Sequence, residues 1–297
     1  MKTIFQILSI CFFALLLVQC GNEEGETKAS TTVNDATDEA KSVNLAETET
    51  YYVLSSSGLR MREDASLKSA KLDVVGYGEK IQADPSDASK EITVSGIKGK
   101  MVKAYYKNDQ GYMFTGYMSS IPVPEKDQGV ADYARQLKRK GFTAKYDEIE
   151  LDDGMELEEI LSIPASSLAE AFLIGQRLNI FDIDFDLPAN SEPKSLKAKV
   201  NGQSIDLKLS NPTTVGAVEE PAEGAPDSDV YIEGYQFNLP DNKDDNYWMK
   251  LIDVKFDERN NELSEISTQA AYEGGFWTCT LQQEGSFYVF RKNSIAD

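Results

Sequence analysis

The chain of 297 residues contains no histidine. That removes Ser-His-Asp and Cys-His nucleophilic catalysis, together with every histidine-based metal site. Cysteine is scarce: only Cys11, Cys20 and Cys279. Cys279 lies in a Thr-Cys-Thr run with no basic neighbour, so it reads as a buried, inert thiol. No glycine-rich phosphate loop and no nucleotide fingerprint is present. Positive charge is also short. Thirty Lys and Arg face fifty Asp and Glu, for a formal net charge of -20. Such a chain is a poor partner for nucleic acid or for anionic lipid bound through charge. Paired carboxylates can cleave glycosides. With fifty acidic residues, chance pairs are unavoidable and no pair singles itself out.

What is present begins with an apolar run. Lys2 supplies a positive start, and residues 4–18 are almost wholly apolar. This is short for a spanning helix of ~20 residues and fits a secretory signal. The run ends Leu-Leu-Leu-Val-Gln, then Cys20 and Gly21. It resembles a bacterial lipoprotein signal, with Leu17 at the usual leucine position and Gln19 where a small residue is usual. The looser box is similar to those of spirochaete lipoproteins. The resemblance implies a signal peptide at 1–19, acylation of Cys20, and a lipid-anchored place in the cell envelope at the outer membrane. Several acyl chains would anchor stably, because each buried methylene adds ~0.8 kcal/mol. Loss of Lys2 moves the charge from -20 to -21. An acylated Cys20 leaves Cys279 alone, so stability must come from ordinary cores.

Residues 20–50 carry eight acidic residues against Lys28 and Lys41, with no aromatic residue and no proline. They cannot bury enough apolar surface to offset their ordering entropy, and we expect a tether.

Residues 51–122 are expected to form a small β-barrel. Leu59 and Met61 alternate with Arg60 and Arg62, the period of a half-buried strand. Further β-prone runs follow, punctuated by Gly76-Tyr77-Gly78, by a loop-like stretch at 84–90, and by a turn at 107–111. The order LRMRED, KLDVVGYGEKI, GKMVKAYYKNDQGYMFTGYM resembles the bacterial SH3 domain family. Leu59, Met61 and Arg62 sit at its first motif, Gly78 and Ile81 at its second, and Gly111, Tyr112, Gly116 and Tyr117 at its last. Met101 and Tyr112 stand where tryptophan is frequent, and Asp64-Ala65 replaces a glycine-proline. The resemblance implies a module that docks cell-wall peptides or an envelope protein. Arg60, Arg62, Tyr77, Tyr112 and Tyr117 are the expected ligand contacts.

Residues 123–297 are expected to form a second, α+β domain with helices first and an antiparallel meander after. Residues 121–125 (IPVPE) read as a stiff linker. A helix is predicted over 126–140, with Val130, Tyr133, Ala134 and Leu137 on one face and Gly141 as its stop. Basic residues in its last turns complement the helix dipole. A short helix is predicted over 155–162. Ser167 and Glu170 form a capping box for a helix striped by Leu168, Ala171, Phe172, Gly175 and Leu178. In FDIDFDL, alternation puts Phe181, Ile183, Phe185 and Leu187 on one face. It spreads Asp182, Asp184 and Asp186 ~6.6 Å apart on the other, unlike the converging oxygens of a calcium loop. Asn201-Gly202 marks a hairpin within 195–210. Residues 211–229 read as a loop, and five strands with short turns follow to the end.

The fold class is therefore mainly β: a small SH3-like barrel, then a helical segment and a meander. The expected function is a non-catalytic binding module, anchored through Cys20, whose partner is peptidoglycan or an envelope protein. No cofactor, metal or nucleic acid is expected. The alternatives are a carboxylate-based envelope hydrolase carrying the same module, or a surface-exposed protein contacting extracellular molecules.

Overall fold

The computed structural model describes residues 48–151, 155–200, 202–210, 233–240, 247–257 and 259–296. The signal peptide, Cys20, almost all of the 20–50 tether, Asn201 and the 211–229 loop lie outside the described residues. The protein is mainly β, with antiparallel sheets and two helices among the described residues. No helix among them is long and apolar enough to cross a membrane.

The first half is nine strands: β1 (Glu49–Val53), β2 (Leu59–Arg62), β3 (Lys71–Val75), β4 (Lys80–Ala88), β5 (Ile92–Val94), β6 (Ile97–Gly99), β7 (Met101–Tyr106), β8 (Asp109–Phe114) and β9 (Met118–Ser119). Seven form one sheet in the order β3-β2-β8-β7-β4-β1-β9, while β5 and β6 pair as a small hairpin. A single 3-10 turn, Thr115–Tyr117, leads into β9. All seven strands send side chains into one core, including Val53, Met61, Val75, Ala83, Ala104, Met113 and Met118. A sheet whose strands share one core must curl around it. The alternation of Leu59 and Met61 against Arg60 is what supplies the inward face of β2.

The stretch expected as a loop at 84–90 is instead mostly strand, because β4 continues to Ala88. Its pairing with β7 skips between Asp84 and Ala88. Pro85 falls in that irregularity, where its missing N–H interrupts no ladder bond. The Asp84 carboxylate accepts from the Ser86 backbone N–H at 2.9 Å and from its hydroxyl at 2.6 Å.

Residues 121–124, read as a linker, are buried. Ile121 and Val123 belong to a large core shared by the two halves. The helix α1 (Val130–Arg139) starts four residues later than predicted but buries the predicted face, with Tyr133 and Leu137 fully enclosed. The Tyr133 hydroxyl donates to the Pro122 carbonyl at 2.8 Å. Gly141 follows with φ +87°, the left-handed conformation that ends a helix.

Next come β10 (Lys145–Leu151) and β11 (Glu156–Ile163). The predicted short helix over 155–162 is thus a strand. Glu156-Leu157-Glu158-Glu159-Ile160-Leu161 offers helix-favouring residues, but β11 is paired on both sides, with β10 and with β19. Tertiary pairing overrides local propensity here. The elements α2 (Leu168–Arg177), β12 (Asp184–Phe185), β13 (Ser195–Val200) and β14 (Gln203–Lys208) follow. The last two form the expected hairpin, Val200 opposite Gln203, with Gly202 at φ +76°.

Finally β15 (Glu233–Asn238), β16 (Tyr247–Asp257), β17 (Glu262–Tyr272), β18 (Gly275–Glu284) and β19 (Phe287–Ala296) run as the predicted meander. The hairpin β10–β11 adds to its end, giving the sheet order β10-β11-β19-β18-β17-β16-β15. The simple order of helices first, sheet after, is therefore broken by strands between the two helices. Helix α2 packs on this sheet through Gly175, where a Cβ would overlap the Phe290 ring. Phe172, Phe181, Phe185 and Phe290 cluster beside it, with neighbouring ring centroids 5.0 to 5.9 Å apart.

Candidate functional site

The two halves meet along a seam that α2 organises. Ser167 caps the helix, its hydroxyl accepting from the Glu170 backbone N–H at 3.1 Å. The predicted capping box would turn the Glu170 side chain back to Ser167. Instead the carboxylate is buried against the first half. One oxygen accepts from the Ser119 hydroxyl at 2.6 Å and from the Ser120 backbone N–H at 2.8 Å. The other accepts from the Ser166 backbone N–H at 2.7 Å and from its hydroxyl. A buried carboxylate is tolerable only when its lone pairs are met in this way. The second point of close approach is Gly96, at φ +78°, where a Cβ would overlap the Leu187 carbonyl.

Between these contacts lies a cavity of about 280 Å³. Leu54 and Ile97 from the first half and Phe172, Phe185 and Leu187 from the second form its apolar wall. Ser55, Ser56, Ser95 and Tyr117 bring hydroxyls from one side, and Arg177, Asp184, Asp186 and Lys199 bring charge from the other. Lys199 pairs with Asp184 at 2.6 Å. The guanidinium of Arg177 lies 4.7 Å over the Tyr77 ring. Its Nε is buried without a hydrogen-bond partner, and Arg177 makes no ion pair among the described residues. Desolvation raises the Asp186 carboxyl above its usual range, with the Asp184 charge adding to the effect.

A second cavity of about 280 Å³ lies between the segment that follows α2 and the large sheet, lined by Tyr146, Glu159, Asp182 and Lys292 among others. Its polar groups satisfy one another. The Tyr146 hydroxyl sits 2.9 Å from Glu159 and 3.0 Å from Glu148, and Lys292 is 3.3 Å from Asp182. The seam cavity, whose Arg177 and Asp186 form no ion pair among the described residues, is the one equipped to receive a ligand.

The five expected contact residues separate. Arg62 and Tyr112 are cross-strand partners on β2 and β8. Arg60, exposed, points outward from the same strand as Arg62. These three mark the outer face of the first sheet. There Arg62 also donates to the Ser69 carbonyl at 2.7 Å, and the Tyr112 hydroxyl reaches Asp87 at 3.3 Å. Tyr77 and Tyr117 face the seam instead. Tyr117 lines the cavity. The Tyr77 hydroxyl donates to the Pro124 carbonyl at 2.8 Å. Its pKa is pushed up to about 12 because burial outweighs the opposing pull of Arg177. Arg177, Asp186 and Glu170 were not expected as site residues. Only the helix C-terminal place of Arg177 marked it in the sequence, and that has the ordinary reading of dipole complementarity.

The alternation in FDIDFDL holds: Phe181, Ile183, Phe185 and Leu187 are buried, and the three aspartates are exposed. Only Asp184–Phe185 is regular strand, since Asp182 sits at φ +52°. Asp182 pairs with Lys292 and Asp184 with Lys199, and no metal-holding cluster occurs among the described residues. Cys279 is fully buried, and burial pushes its thiol up to about 12. In comparisons with known proteins, no family model, no curated protein and no solved structure matches the chain.

Proposed function

We propose that the chain is a lipid-anchored envelope protein whose first half, residues 51–122, is a bacterial SH3-like docking module for peptidoglycan peptides or an envelope protein. It acts by binding, without catalysis. The observation that carries this reading is the outer face of the first sheet, where Arg60, Arg62 and Tyr112 stand together on β2 and β8. A strongly acidic chain here carries two arginines on one face of β2, Arg62 opposite Tyr112 and Arg60 two residues along, a set suited to carboxylate-bearing peptides. The curled seven-stranded sheet supports this reading, since the module is expected to be a small β-barrel. Acylation of Cys20 would place it at the membrane.

The test is co-pelleting of the full chain, held in mild detergent, with washed peptidoglycan sacculi. Binding that survives moderate salt and is lost in Arg60→Glu and Tyr112→Ala supports the proposal. Protein that stays in the supernatant refutes peptidoglycan as the partner and leaves the envelope-protein arm, tested by crosslinking on intact cells.

A further inference from the structure

We propose that the seam cavity binds a single zwitterionic molecule of amino-acid size, with its carboxylate on Arg177, its ammonium on Asp186 and its apolar side chain on the Phe172–Phe185–Leu54 wall. This site is separate from the outer face of the first sheet and independent of what that face binds.

Charge comes first. Of the four charged groups lining the cavity, Asp184 and Lys199 neutralise each other at 2.6 Å. Arg177 and Asp186 remain, one of each sign, with no ion pair to either among the described residues. A phosphate would meet the repulsion of two aspartates, and a simple cation would meet Arg177. A molecule with both charges matches both groups. Partial desolvation and the Asp184 charge raise the Asp186 carboxyl despite the opposing pull of Lys197 and Lys199.

Preorganisation comes second. The Tyr77 ring holds the Arg177 guanidinium at 4.7 Å, so the donor is in place before a ligand arrives. The Gln176 side-chain amide donates to the Phe185 carbonyl at 2.5 Å, tying the strand that carries Asp184 to α2. Size comes third. A volume of about 280 Å³ falls at the lower edge of small-molecule sites, which suits one amino acid and excludes a peptide strand.

The experiment is calorimetric titration of the full chain in detergent with phenylalanine, leucine, the dipeptide Ala-Phe, 3-phenylpropionate and phenethylamine. The last two lack the ammonium and the carboxylate respectively. Phenylalanine is expected to bind, with each of these two weaker by about tenfold or more. Arg177→Gln and Asp186→Asn are each expected to weaken phenylalanine about tenfold, while Tyr112→Ala on the outer face leaves it unchanged. Asp186 is exposed, so Asp186→Asn keeps the fold, checked by an unchanged melting temperature. Absence of binding by both phenylalanine and leucine overturns the proposal. So does equal affinity for 3-phenylpropionate, or full affinity in folded Asp186→Asn. An Ala-Phe dipeptide binding more tightly than phenylalanine overturns the size assignment. Sacculus pelleting is unaffected by these outcomes, so the two readings fail separately.

Discussion

Removing the Glu170 side chain should loosen the seam more than any other single change to a polar residue. In Glu170→Ala the Ser119 hydroxyl, the Ser120 N–H and the Ser166 N–H lose their acceptor, now at 2.6, 2.8 and 2.7 Å. Each hydrogen bond to a charged group contributes about 1.5–3 kcal/mol. The three do not add fully, because Ser120 and Ser166 are only partly buried and water can reach them. A loss of about 3–5 kcal/mol follows, below the full sum of the three bonds. At about 2–4 °C per kcal/mol for a chain of this size, the melting temperature should fall by about 6–20 °C. Glu170→Gln keeps an acceptor for Ser119 and Ser120 but turns an amide N–H toward the Ser166 donors, so it should lose about 1–3 kcal/mol. Urea unfolding followed by circular dichroism measures both. A double-mutant cycle with Ser119→Ala should give a coupling of about 1 kcal/mol or more. A Glu170→Ala protein within about 1 kcal/mol of the native chain, or strict additivity with Ser119→Ala, would refute the clamp.

Asp253 is buried on β16, one oxygen lacks a partner, and desolvation raises its pKa to about 6. The folded chain therefore holds this proton more tightly than the unfolded one, so stability from this group falls as pH rises from about 4 to about 6. Asp253→Asn should remove that slope and add about 1 kcal/mol at neutral pH, a shift discounted for partial solvent access and read from unfolding curves at several pH values. Gly96→Ala should destabilise by about 2 kcal/mol or more, because positive φ and overlap with the Leu187 carbonyl act together; a melting curve like that of the native chain would contradict the close approach. Cys279 should resist alkylation at pH 8 in the native chain and react only after denaturation, as read by mass spectrometry of its peptide.

The elements legible in the sequence are those whose pattern and packing agree. The meander strands alternate and end in turn residues, and the face of α1 repeats at helical spacing, so both stood out. The strand β11 did not. Its Glu- and Leu-rich run satisfies a helix locally, and only the partners on either side, distant in sequence, make it a strand. The buried residues 121–124 misled for a related reason: two prolines between apolar residues read as a linker, whereas the Tyr133 and Tyr77 hydroxyls donate to the carbonyls of Pro122 and Pro124. The same reasoning accounts for the site. Residues on one strand pair, such as Arg62 and Tyr112, share a face that alternation predicts. The seam joins Tyr117, Arg177 and Asp186 across sixty-nine positions, and no local period connects them. Glu170 shows the limit most plainly. Its place three residues after Ser167 is a capping signal, and the helix does use that serine. Yet the buried carboxylate is shared among Ser119, Ser120 and Ser166, where it meets more donors than a return to Ser167 would offer. A local motif thus fixed where α2 begins, while tertiary contacts decided what its acidic residue binds.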